Sequence, residues 1–163
     1  MPLRLWPIAA VLCLGTAGCA RPLPNSHTSL EALAAAVLDA VESRDAAALQ
    51  SLALDELEFR EHVWPELPAS RPERNLPFGY VWTDLKTKSE AGLKGVFAAY
   101  GGRRYQLDRV RFTGGSTQYE TFVVHRESVV EVRDGEGRRE TLQLFGSVIE
   151  KGGRFKVFSY VVD

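Results

Sequence analysis

The sequence predicts an α+β domain in which N-terminal helices pack on an antiparallel sheet of four strands or more. Three observations carry this. Apolar residues recur at spacings of three and four in the first part of the chain, and from Arg103 onward the period changes to two. The two-residue-period segments are separated by short glycine-rich turns, so consecutive strands pair as a meander. Helices first and strands second is the order of an α+β fold. At 163 residues, 45% hydrophobic and 25% charged, the chain has enough apolar material for one core and too little charge to remain unfolded.

The first element is an address. Arg4 precedes the apolar run Leu5–Leu14, and Gly15-Thr16-Ala17-Gly18 leads into Cys19. A short charged start, an apolar stretch of secretory length and small residues at the cut read as a signal peptide over 1–18. The run is too short to span a bilayer, which takes about 20 apolar residues. The small residues followed at once by Cys resemble the bacterial lipobox, with Thr16 where Leu is usual. That resemblance implies lipid attachment at Cys19 and, since Ala20 rather than Asp follows, an outer-membrane location facing the periplasm. The alternative is a plain secretory signal cut after Ala20. Cys13 leaves with the signal in either case, so the exported chain has no intrachain disulfide.

Removing residues 1–18 takes away one charged side chain, Arg4, leaving 19 basic against 21 acidic groups. Such a balance gives no field to gather nucleic acid, and no nucleic-acid partner is expected. Residues 19–27, with two prolines and no periodicity, read as a tether, and 28–163 as the domain.

Thr28-Ser-Leu-Glu31 has capping-box spacing ahead of a helix over about 29–43, whose buried face holds Leu33, Val37 and Val41. Asp45 is placed to cap a second helix, and Asp55 with Glu58 a third that Pro65 ends. Residues 65–77 contain four prolines and form an unusually long connection. After Phe78-Gly-Tyr-Val-Trp82, a helix capped at Thr83 or Asp84 runs to Gly101-Gly102. Gly92 and Gly95 inside it invite close approach by a neighbour. Four strands follow, over 105–113, 119–133, 139–150 and 155–162, with Gly114-Gly115-Ser116 read as a turn. The last is apolar on both faces. Either it is central in a sheet folded over a cavity, or one face meets a partner, a second copy of the chain included.

The capped first helix, the stretch from Val37 to Leu49 and the closing Gly153–Tyr160 strand resemble the NTF2-like (SnoaL-like) superfamily. The resemblance implies a curved sheet wrapped by helices into a cone. Its families include isomerases, dehydratases, binding modules and scaffolds, so it selects no function. The proline-rich 65–77 stretch stands where members often place a strand.

No metal-ligand spacing, nucleophile elbow or dinucleotide glycine pattern occurs, and no cofactor or metal is expected. His125 is the best acid–base candidate. In Val123-Val124-His125-Arg126-Glu127, alternation sends His125 to one sheet face and Arg126 to the other, so one points toward whatever the sheet encloses, unless the strand bends there. His62 and Trp64 before the proline-rich segment, with Tyr80 and Trp82 after it, either form the mouth of a pocket or anchor the loop to the core. Together these features predict a lipid-anchored, non-catalytic envelope module that binds a small apolar ligand or a protein. The alternative is an isomerase- or dehydratase-type enzyme with His125 in a cone-shaped pocket.

Overall fold

Short polar side chains at the right spacing begin the first three helices. In the computed structural model, which describes residues 23–161, Ser29 Oγ accepts from the Ala32 N–H and starts α1 (Leu30–Glu42). The cap is therefore Ser29, not the expected Thr28. Asp45 caps α2 (Ala46–Leu52). At α3 (Glu56–Glu58), Asp55 accepts from the Glu58 N–H at 2.8 Å and Glu58 accepts from the Asp55 N–H at 2.9 Å, the reciprocal capping box that the spacing foretold. A wider π-helical turn, Phe59–Val63, continues α3.

The proline-rich segment is not one open loop. Three short 3₁₀ turns, Trp64–Glu66, Pro68–Ser70 and Pro72–Arg74, follow one another, two of them opened by a proline. Proline suits a first turn because the N–H it lacks would have no partner there. The long helix α4 spans Phe78–Tyr100. It starts five residues before the expected Thr83, because Pro77 holds the last extended backbone and nothing after it interrupts the helix. Gly92 is where the fold needs a bare backbone, since a Cβ there would sit 1.9 Å from the Tyr160 carbonyl oxygen. Gly95 has nothing within 4 Å and carries no such demand.

Among the described residues, seven antiparallel strands form two sheets. The strands β1 (Gln106–Phe112), β4 (Ser128–Arg133) and β5 (Arg139–Leu142) make one, in the order β1-β4-β5. The other runs β2 (Ser116–Gln118), β3 (Val123–Arg126), β6 (Ser147–Lys151) and β7 (Arg154–Ser159). Two of the four expected strands are each broken at a corner: 119–133 becomes β3 and β4, and 139–150 becomes β5 and β6. Glu127 makes the first corner with a left-handed φ of +54°, a conformation costing a non-glycine residue about 1 kcal/mol. Thr113 N–H to Glu127 O (2.9 Å) and Ser128 N–H to Gly146 O (3.1 Å) keep the backbone paired across the bend. Ser116, expected in a turn, opens β2.

Among the described residues, the bend produces two hydrophobic cores. One joins Val37, Val41 and Leu49 of the helices to Val130 and Leu142 of the first sheet and Val148 and Val157 of the second. The other places Leu54, Phe59 and Val63 against Phe122, Val124 and Ile149 on the opposite face of the second sheet. β7 is the edge strand of its sheet, not the central one expected, and its two apolar faces meet different cores: Val157 enters the first and Phe158 packs on the second. Lys156, pointing to the second core, is neutralised by Glu58 at 2.7 Å.

The segment expected to be a tether is docked from Leu23 onward. Leu23 is buried in the second core, His27 pairs with Phe155, and Lys156 Nζ donates to the Pro24 carbonyl at 2.7 Å.

Candidate functional site

Strand β3 divides its polar side chains by parity, as alternation requires. Arg126 points into a cleft of about 720 Å³ between the first half of α4 and the bent second sheet. His125 lies on the opposite face of β3 and does not line this cleft.

The cleft owes its shape to the corner. Where β4 turns into β3 and β5 into β6, the sheet folds away from α4 and leaves a trough. Its apolar side is Phe59, Val81, Leu85, Val124, Phe145 and Phe158. Its polar side comes from the corner itself: Arg126, Glu127, Gln143 and the serines 128, 147 and 159. Two of those serines are already committed to each other, with Ser147 Oγ 3.3 Å from Ser159 Oγ, and Ser128 Oγ donates to the Phe145 carbonyl. Asp84 and Lys88 on α4 form the facing rim and are paired at 2.8 Å. Arg126 differs from these. It is exposed, and among the described residues no hydrogen bond or ion pair engages its guanidinium. Among the described residues, the trough thus offers an apolar floor with a cationic fork that has no partner, which suits a molecule with an apolar body and an anionic end.

His125 is held on both sides of its ring. Nδ1 lies 2.8 Å from Ser116 Oγ and Nε2 lies 2.9 Å from Glu150 Oε2, and the ring stacks on Phe112 with centroids 4.8 Å apart. Only 18% of the side chain is exposed. With both nitrogens occupied and the cleft on the other face, His125 has no free nitrogen to exchange a proton with anything bound beside Arg126. Its three-residue chain instead ties β2, β3 and β6 together across the sheet.

The four residues flanking the proline-rich segment do not converge on one mouth. Trp64 meets Phe78 edge-on at 5.5 Å and Trp82 meets Phe59 at 5.4 Å, so both tryptophans pin the segment to the second core. Trp82 also reaches a smaller cleft of about 310 Å³ between α2, α3 and α4. His62 is half-buried on the π-helical turn and Tyr80 is exposed, and neither lines either cleft. Cys19 lies outside the described residues. Among the described residues no group of three or more His, Cys, Asp or Glu side chains is placed to hold a metal ion, and no helix is long and apolar enough to cross a membrane.

Sequence reasoning missed Phe145, Ser147, Ser159 and the α4 rim of the cleft. Parity marked Arg126 and His125 as opposites, but only the corner decides which of the two faces opens. No protein-family model, curated protein or solved structure matches the chain.

Proposed function

We propose that the chain is a lipid-anchored cell-envelope module that binds a small amphiphilic molecule in the cleft without transforming it. The observation that carries this is Arg126, at the edge of an apolar trough and without a side-chain partner among the described residues. The ligand's apolar body would lie on Phe59, Val124 and Phe158, and its anionic end would accept from the guanidinium. The address argued from Gly15–Cys19 supports acylation of Cys19 and exposure to the periplasm from the outer membrane. Helices wrapped by a bent antiparallel sheet support membership of the NTF2-like superfamily, several of whose families hold small molecules against such a sheet.

The test uses anilinonaphthalene sulfonate, an aromatic body with one sulfonate. It should bind saturably to the intact chain and about fivefold more weakly to Arg126→Ala, the loss of one partly solvated charge-assisted contact. Equal affinity of the two proteins would remove Arg126 from the site. A catalytic reading rests on the Ser116–His125–Glu150 chain alone, and it requires that His125→Ala abolish turnover of some substrate while the cleft stays intact.

A further inference from the structure

We propose that Leu85 of α4 and Phe158 of β7 form a partition between the two clefts that limits the length of the bound molecule, and that this molecule is a single-chain alkyl carboxylate. Both assignments rest on the cleft reading above.

Helix α4 presents one face to each cleft. Val81, Asp84 and Lys88, spaced by three and four, line the larger one, and Trp82, Lys86, Ser89 and Leu93 line the smaller. Leu85 is four residues from Val81 and three from Trp82, so it stands at the seam and lines both. On the strand side the shared residue is Phe158. Strand β7 carries a bulge there: Val148 pairs with Val157 and Ser147 with Ser159, leaving Phe158 opposite no residue of β6. A bulge suspends strict alternation and re-aims a side chain, which lets Phe158 and its neighbour Ser159 line the same cleft. Leu85 and Phe158 are both half-buried against the second core.

The same strands set the distance from the charge to the partition. Arg126, Ser147 and Ser159 pair in one row across β3, β6 and β7, two strand spacings or about 10 Å from end to end. A carboxylate accepting from Arg126 directs its chain along this row toward Phe158. Beyond the partition lie Leu54, Trp82 and Leu93, an apolar continuation in the smaller cleft. The helix above is pinned. The Tyr160 N–H donates to Ser89 Oγ at 3.0 Å, and Gly92 has no room for a side chain against the Tyr160 carbonyl. What opens between the clefts is a gap between side chains, not a lifted helix. Such a gap passes one unbranched chain and stops a fused ring.

The saturated carboxylates from octanoate to hexadecanoate are used to displace anilinonaphthalene sulfonate from the Cys19→Ser chain, which carries no acyl group of its own. While the tail grows within the larger cleft, each added methylene should tighten binding about fourfold. The gain should stop short of hexadecanoate, where the tail meets Leu85 and Phe158. Hexadecanoate should bind Leu85→Ala and Phe158→Ala about tenfold more tightly than the parent chain, nearly the worth of two further methylenes. Adding Gln50→Trp, which fills the smaller cleft from α2, should return Leu85→Ala to the parent limit. Circular dichroism checks that each variant is folded, and the half-exposed Leu85 site stays readable if the Phe158 variant unfolds. The same limit in the parent and the folded truncations, or no limit in the parent, overturns the partition and leaves the cleft standing. Sulfonate binding that depends on Arg126 but yields to no alkyl carboxylate overturns the ligand class. Sulfonate binding indifferent to Arg126→Ala overturns the cleft reading and both assignments with it.

Discussion

Lys156 Nζ lies 2.7 Å from Glu58 Oε1, and the two side chains are 3% and 6% exposed. A lysine on β7 and a glutamate on α3 thus meet inside the second core, and the same glutamate closes the capping box of its own helix. One charge pair locks helix, strand and entering N-terminal segment in register.

Breaking the pair on one side strands a charge without a partner. Lys156→Met should lower stability by about 3–5 kcal/mol, whereas pairing it with Glu58→Leu should cost less than the sum of the single changes. Urea unfolding followed by circular dichroism checks both, and strictly additive losses would contradict the coupling.

Two glycines of α4 make opposite forecasts. Gly92→Ala drives a methyl into the Tyr160 carbonyl, 1.9 Å from where its carbon would sit, and should destabilise by about 1–3 kcal/mol. The same helix contact is fixed by the Tyr160 N–H donating to Ser89 Oγ at 3.0 Å, so it has little room to shift. Gly95→Ala meets open space and should raise stability by about 0.5–1 kcal/mol through helix propensity. Thermal melts of the two variants should move in opposite directions.

Acid should weaken the first sheet through Glu131. Hydrogen bonds from Arg111 and then Arg109 hold this carboxyl below its ordinary value of 4.5. A depressed carboxylate contributes its stability above the unfolded-state value and loses it as the pH falls through the lower folded-state value. The melting temperature of the wild-type chain should therefore exceed that of Glu131→Gln at neutral pH, and the gap should close below about pH 4.5. A gap that stays constant down to strong acid would contradict the assignment.

What could be read from the sequence was local. Asp45, Asp55 and Glu58 announce helix starts because capping needs partners only three residues away; the two-sided apolar pattern of β7 did not announce that it is an edge strand between two cores. The corners were hidden. Glu127 takes a left-handed φ without being glycine, so residues 119–133 kept a strand period through a bend that changes sheets. Likewise Ser116 and Glu150 stand 9 and 25 residues from His125, and nothing in spacing announces that they close on its ring. Arg126 was legible as a partner of parity, but the trough it faces exists only once β3–β4 and β5–β6 have folded back.

The cleft is therefore best tested by mapping where a ligand is felt. Amide spectra of the Cys19→Ser chain, titrated with anilinonaphthalene sulfonate, should show shifts gathered at Val124, Arg126, Ser147 and Ser159, with His125→Ala leaving the affinity unchanged. Shifts gathered instead around Ser116, His125 and Glu150, or lost in His125→Ala, would contradict the account and move the site to the other face of β3.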